Sequence, residues 1–169
     1  MLVCASLCVS VLSPAAPLEL VTSVPLVRAR QVIFKDNLAW VAQNMDGAAL
    51  VNFSDPTGPK LIRKFPPDFM QPIYLRVFPE QNLLVSADRF RGLITYDVSV
   101  PDDPTTVSVL PLAGMTTGFD VSETTDGRRI AVLSRAGDGL LAVDISNPVA
   151  PVVTDRFTSG VELSRGVMV

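Results

Sequence analysis

Gly139-Leu-Leu-Ala-Val-Asp144-Ile-Ser146-Asn-Pro148-Val-Ala-Pro151 decides the fold of this 169-residue chain, because it is the third copy of one phrase. Gly47-Ala-Ala-Leu-Val-Asn52-Phe-Ser54-Asp-Pro56-Thr-Gly-Pro59 and Gly92-Leu-Ile-Thr-Tyr-Asp97-Val-Ser99-Val-Pro101-Asp-Asp-Pro104 precede it. In every copy a glycine is followed by Asp or Asn five residues on, Ser seven on, and Pro nine and twelve on. The first of those prolines recurs after 45 and then 47 residues. A period of about 40–45 residues holding four short strands marks a propeller blade.

Outward from the phrase, each interval divides into four runs rich in Val, Ile, Leu and aromatic residues, separated by Gly, Pro, Asn and Asp. The runs are 31–34, 38–43, 48–54 and 60–65; then 73–78, 83–87, 93–99 and 105–112; then 119–123, 130–135, 140–146 and 152–157. No window sustains an apolar period of 3.6, so no helix is predicted. The third run of each unit is apolar on both alternating faces: Leu140 and Ala142 on one, Leu141, Val143 and Ile145 on the other. A strand wetted on one side alternates apolar with polar, whereas a blade stacked between neighbours is buried on both. The expected fold is therefore all-β, a β-propeller segment of four-stranded antiparallel blades. Whole blades are expected at about 30–65, 73–112 and 119–157, with partial blades at about 1–24 and 164–169, in one partial propeller spanning 1–169. Pro14-Ala-Ala-Pro17 copies the proline spacing 42 residues before Pro56 and sets the first partial blade. Such an open arc is expected to close on itself, to belong to a longer chain, or to associate with another copy; a truncated product is a further alternative.

Composition fits this frame. The chain is 48% hydrophobic and only 18% charged. Its net charge of −3 and scattered Lys and Arg argue against nucleic acid, whose binding needs clustered cations. The apolar start, which includes Cys4 and Cys8, ends at Ser13-Pro14, short of a membrane span. It reads as a strand in register with the repeat, or as a targeting segment without the usual basic residues. On a strand, Cys4 and Cys8 lie about 13 Å apart and cannot pair. With no His and two isolated cysteines, neither a structural metal nor a cofactor is expected.

The recurrent polar residues read best as structural. Asn52, Asp97 and Asp144 are expected to accept backbone N–H bonds in the turn that follows, with Ser54, Ser99 and Ser146 assisting. Proline then ends the ladder because it has no N–H. The turns at Asp46-Gly47, Asp126-Gly127 and Asp138-Gly139 lack calcium-loop spacing and read as hairpins. Trp40 reads as a blade-packing residue, with Leu84 and Ala131 at the matching places. No Ser-His-Asp or Cys-His pair exists. Glu80, Asp88, Asp120, Glu123 and Glu162 lie in or near first strands, which line a propeller channel, but share no repeat position. No catalytic residue is expected. Candidate partner-binding loops are Phe65 to Met70 and Asp88 to Arg91, where Phe65, Phe69, Met70, Arg89, Phe90 and Arg91 place exposed-looking aromatics beside charge.

"GLLAVDISNPVAPVV" at 139–153 closely resembles the LVIVD repeat, whose units end in Gly-Leu-x-hydrophobic-hydrophobic-Asp-Ile-Ser-Asn/Asp-Pro-x-x-Pro. "GLITYDVSVPDDP" at 92–104 is a good second match, and "GAALVNFSDPTGP" at 47–59 a third with Asn52 in place of Asp. "DGRRIAV" at 126–132 is similar to a strand-pair signature of several bacterial propeller families. The resemblance implies a β-propeller, often extracytoplasmic or at the cell surface, without a catalytic motif. The expected role is a non-catalytic scaffold binding a protein or glycan partner. The rival is a fragment of a propeller enzyme, lactonase-like or quinoprotein-like, whose catalytic residues lie outside this chain.

Overall fold

The computed structural model describes residues 21–158. The partial blade at 164–169, most of that at 1–24, Cys4, Cys8 and Glu162 lie outside them.

Among the described residues, twelve strands form three four-stranded antiparallel meanders. The first holds β1 (Gln31–Lys35), β2 (Leu38–Ala42), β3 (Ala48–Asn52) and β4 (Lys60–Phe65). The second holds β5 (Pro72–Phe78), β6 (Leu83–Asp88), β7 (Gly92–Asp97) and β8 (Thr105–Leu110). The third holds β9 (Met115–Glu123), β10 (Arg129–Ala136), β11 (Gly139–Asp144) and β12 (Val152–Phe157). The only helical turns among the described residues are two short 3-10 pieces, Asn44–Asp46 and Pro79–Gln81. Every expected strand run in this region forms, except that residues 21–24 join no ladder where a strand was expected.

The sheets stack as blades, with β1, β5 and β9 side by side. The Leu75 N–H donates to Gln31 Oε1 (2.5 Å), and the Tyr74 hydroxyl to the Thr117 carbonyl (3.0 Å). Between blades one and two lie Trp40, Leu50, Phe65 and Met70 against Leu84, Ile94 and Tyr96. Between blades two and three lie Val85, Ala87 and Leu93 against Phe119, Leu133, Leu141 and Val143. The outer face of blade one, Ala39, Val41, Ala49 and Val51, is covered by Val24 and Leu26 from the incoming segment.

Register explains both the two-faced strands and one misreading. Trp40 faces Leu50, Val85 faces Thr95, and Val132 faces Ala142. The residues matching Trp40 are thus Val85 and Val132, not Leu84 and Ala131. A slip of one residue moves a side chain to the opposite face of its sheet. Each blade also carries a register shift between third and fourth strands at the same place: Leu50/Val51, Thr95/Tyr96 and Ala142/Val143. Such bulges deepen local twist, which the outer strand of a blade needs.

Candidate functional site

Each phrase ends in a turn capped by its own acceptor side chain. Asn52 Oδ1 accepts the Ser54 N–H at 2.7 Å, Asp97 Oδ1 the Ser99 N–H at 2.7 Å, and Asp144 Oδ1 the Ser146 N–H at 2.9 Å. Ser54 adds its hydroxyl to Asn52 Oδ1 (2.6 Å), whereas the Ser146 hydroxyl accepts the Arg129 N–H (2.9 Å). The backbone bond from Ser99 holds the Asp97 carboxyl below its usual range, and the Ser146 side chain and backbone do the same for Asp144. These acids are committed locally to the backbone.

The turns also clamp neighbouring blades. The Pro148 carbonyl accepts the hydroxyls of Thr95 and Ser108, both at 2.8 Å, so the phrase of blade three is fastened to blade two. Arg63 of β4 reaches the Asp102 carbonyl and the Asp103 carboxylate (3.2 Å) in the phrase of blade two.

One recurrent position carries no sequence signature. Four residues before each phrase glycine stand Gln43, Asp88 and Arg135, all buried. Each ties down the segment entering its blade. Gln43 Nε2 donates to the Val27 carbonyl (2.8 Å). Asp88 Oδ2 accepts the Gln71 N–H (3.2 Å). Arg135 donates to the carbonyls of Leu112 (2.7 Å), Ala113 (2.6 Å) and Gly114, and to Thr116 Oγ1 (2.6 Å). Three chemistries serve one task, so the residues share no type a sequence comparison could register.

The two candidate loops fare differently. Phe65 and Met70 are not exposed: they are 2% and 0% accessible and lie in the core between blades one and two. Phe69 is half-buried, its ring 5.5 Å from that of Tyr96. Insertion after a strand gave these residues an exposed look, but the loop folds back to plug the gap beneath Trp40. Arg91 donates to the Phe69 carbonyl (2.9 Å) and pairs with buried Asp88 (3.5 Å). Phe90 remains 61% exposed, with the Arg89 guanidinium 5.2 Å from its ring centre.

The channel acids do not gather. Glu80 pairs with Arg129 (2.9 Å), and Asp120 lies 3.9 Å from Arg76. Asp88 also accepts the Ser86 hydroxyl (2.5 Å), and burial raises its carboxyl above the usual range against the opposing pull of its hydrogen bonds and Arg91. Glu123 sits exposed at the end of β9. Among the described residues no cluster of His, Cys, Asp or Glu has the makings of a metal site.

Two surfaces of the described residues bear on function. One is a cleft of about 510 Å³ where the first strands begin, lined by Arg30, Tyr74, Arg89, Met115, Thr116 and Thr117 among others. The other is the far face of blade three. The positions Trp40, Ala48 and Leu50 of blade one, and Val85, Leu93 and Thr95 of blade two, are buried by the next blade. Their equivalents Val132, Leu140 and Ala142 line an open hollow of about 100 Å³ beside Phe157, which is 56% exposed.

Comparison with known proteins agrees with this architecture. Residues 135–159 match the LVIVD repeat. No curated protein matches the chain. The N-terminal domain of Nup159, a β-propeller, is similar in structure, with a TM-score of 0.54 at 15% identity. The match covers 89% of this chain and 36% of that one, so the chain spans about a third of its length. Among the described residues no helix is long and apolar enough to cross a membrane. With the three blade-like sheets and the matched phrase together, the chain carries an LVIVD repeat and has a β-propeller fold.

Proposed function

We propose that this chain is a non-catalytic propeller-repeat scaffold for protein association, acting through the open face of its third blade. The supporting observation is the apolar surface of Val132, Leu140 and Ala142, flanked by exposed Phe157. Continuity with the two internal interfaces names the occupant. The same register positions in blades one and two are covered by the sheet of the following blade. The third face is fitted to another blade of this repeat, supplied by a second copy when the chain stands alone. Paired sheets bury such faces about 10 Å apart with interdigitated side chains. The non-catalytic half of the reading is supported by Glu80, Asp88 and Asp120 each being engaged by a different arginine.

The test is the mass of the purified chain in solution, by light scattering during size exclusion, for the wild type and Leu140→Arg. A defined oligomer that Leu140→Arg converts to a folded monomer is expected, since a charge on a face that must be dehydrated opposes association. A monomeric wild type, or an oligomer indifferent to Leu140→Arg, would overturn the assignment of this face.

A further inference from the structure

The cleft at the start of the first strands belongs to neither blade interface. It is built by the residue preceding β1, the entry to β5, the hairpin between β6 and β7, and the entry to β9. Its charge is one-sided. Arg30 and Arg89 both line it, and among the described residues no carboxylate does. Arg30 has no ion-pair partner among the described residues. Arg89 has a single long hydrogen bond, 3.4 Å from Nη1 to Asn44 Oδ1, and rests against the Phe90 ring. Asp46, in the 3-10 turn on this side of the molecule, is already paired with Arg28 at 3.3 Å.

A third guanidinium lies behind the wall. Arg135 is 2% exposed and makes its hydrogen bonds to neutral oxygens only, one of them Thr116 Oγ1, and Thr116 lines the cleft. Asp138 offsets part of this charge while it also pairs with Arg156. A cation in a poorly solvated wall is screened far less than one at the surface. The clasp that fixes the entry to blade three thus also places a positive charge under the cleft floor, and the acidic chain as a whole carries a local positive site. Ligand cavities commonly span about 300–1,000 Å³, so the size suits a small molecule rather than a single ion.

We infer that this cleft binds a small multivalent oxyanion, a carboxylate- or phosphate-bearing ligand, through the Arg30 and Arg89 guanidiniums. The guanidinium fork matches both oxyanions with two parallel N–H bonds, which a lysine ammonium cannot reproduce. Arg89, steadied by Asn44 and Phe90, supplies the ordered half of the site. Arg30, with no competing side-chain bond among the described residues, supplies the second fork.

Calorimetric titration of the purified chain at low ionic strength with citrate, and separately with inorganic pyrophosphate, tests this and tells the carboxylate source from the phosphate source. Saturable binding of at least one is expected. It should weaken at least about tenfold in Arg30→Ala and in Arg89→Ala, and also in Arg89→Lys, which keeps the charge and loses the fork. Arg128→Ala, which removes an exposed hairpin cation elsewhere, should leave it unchanged. Absence of saturable binding with both probes overturns the inference. Equal loss in Arg128→Ala, or full retention in Arg89→Lys, shows diffuse charge attraction and overturns it too. Melting curves accompany each variant; if Arg89→Ala does not fold, Arg30→Ala decides alone, because its side chain bonds to no other described residue.

Discussion

The phrase glycines are where single residues matter most. Gly47, Gly92 and Gly139 have φ of +85°, +100° and +79°, and a Cβ at each would overlap the carbonyl oxygen of Phe65, Leu110 or Phe157 on the outer strand. Two demands coincide: a left-handed backbone, and close approach of the fourth strand to the third. Gly127 also has a positive φ, +80°, but nothing lies within 4 Å of its Cβ position. Gly92→Ala should therefore cost more than about 2 kcal/mol, from strain and overpacking together. Gly127→Ala should cost only the left-handed penalty of about 1 kcal/mol. Denaturant unfolding of both variants checks the pair, and equal losses would mean the carbonyl contact is unimportant. The sequence marks all three phrase glycines by their spacing, yet only the fold separates them from ordinary turn glycines.

At the scale of the element, the clasp four residues before each phrase glycine holds the connection into its blade. Asp88 gives it a pH signature. Burial sets its folded pKa above the unfolded value. Its contribution is then fully present below the ordinary carboxylate pKa and is lost as pH rises through the raised folded value. The exposed caps Asp97 and Asp144 have depressed values and act the other way, stabilising above the ordinary pKa and failing as pH falls through the depressed one. Asp88→Asn keeps an acceptor for the Gln71 N–H and removes the titration. The stability of Asp88→Asn relative to wild type should rise with pH from strongly acidic to neutral solution, by about 1 kcal/mol or more for each pKa unit of the shift. Unfolding free energies measured across that range check it; a flat or falling difference would show that Asp88 is not buried against its charge.

At the scale of the whole molecule, stability rests, among the described residues, on two blade interfaces and one covered outer face. Trp40 is 1% exposed, and its ring stacks on Phe65 at 5.4 Å between blades one and two. Trp40→Ala should destabilise the protein by about 3–5 kcal/mol. Phe90→Ala, on an exposed loop, should fall within about 0.5 kcal/mol of wild type. Thermal melts of both variants check the contrast, and a severe effect at Phe90 would relocate the core. The cationic cleft is also a property of this scale, assembled from segments far apart in the chain, whereas the open face of blade three is built within one blade.

The strands, their grouping in fours and the caps at Asn52, Asp97 and Asp144 were legible because they are local: alternation, turn chemistry and a repeated interval need no knowledge of what packs where. The phrase even announced blades buried on both faces, through Leu140 and Ala142 alternating with Leu141 and Val143. Tertiary structure alone decided which face each residue joins, moving the partners of Trp40 to Val85 and Val132, because pairing register is set across strands. It alone took Phe65 and Met70 into the core and left Phe90 outside, because a loop's burial depends on the gap it can fill. Gln43, Asp88 and Arg135 stand at one position with three different side chains, so only their shared geometry reveals them. Arg30 and Arg89 stand far apart in the sequence of an acidic chain, and only the stacking of the blades brings them to one cleft, with Arg135 behind its wall.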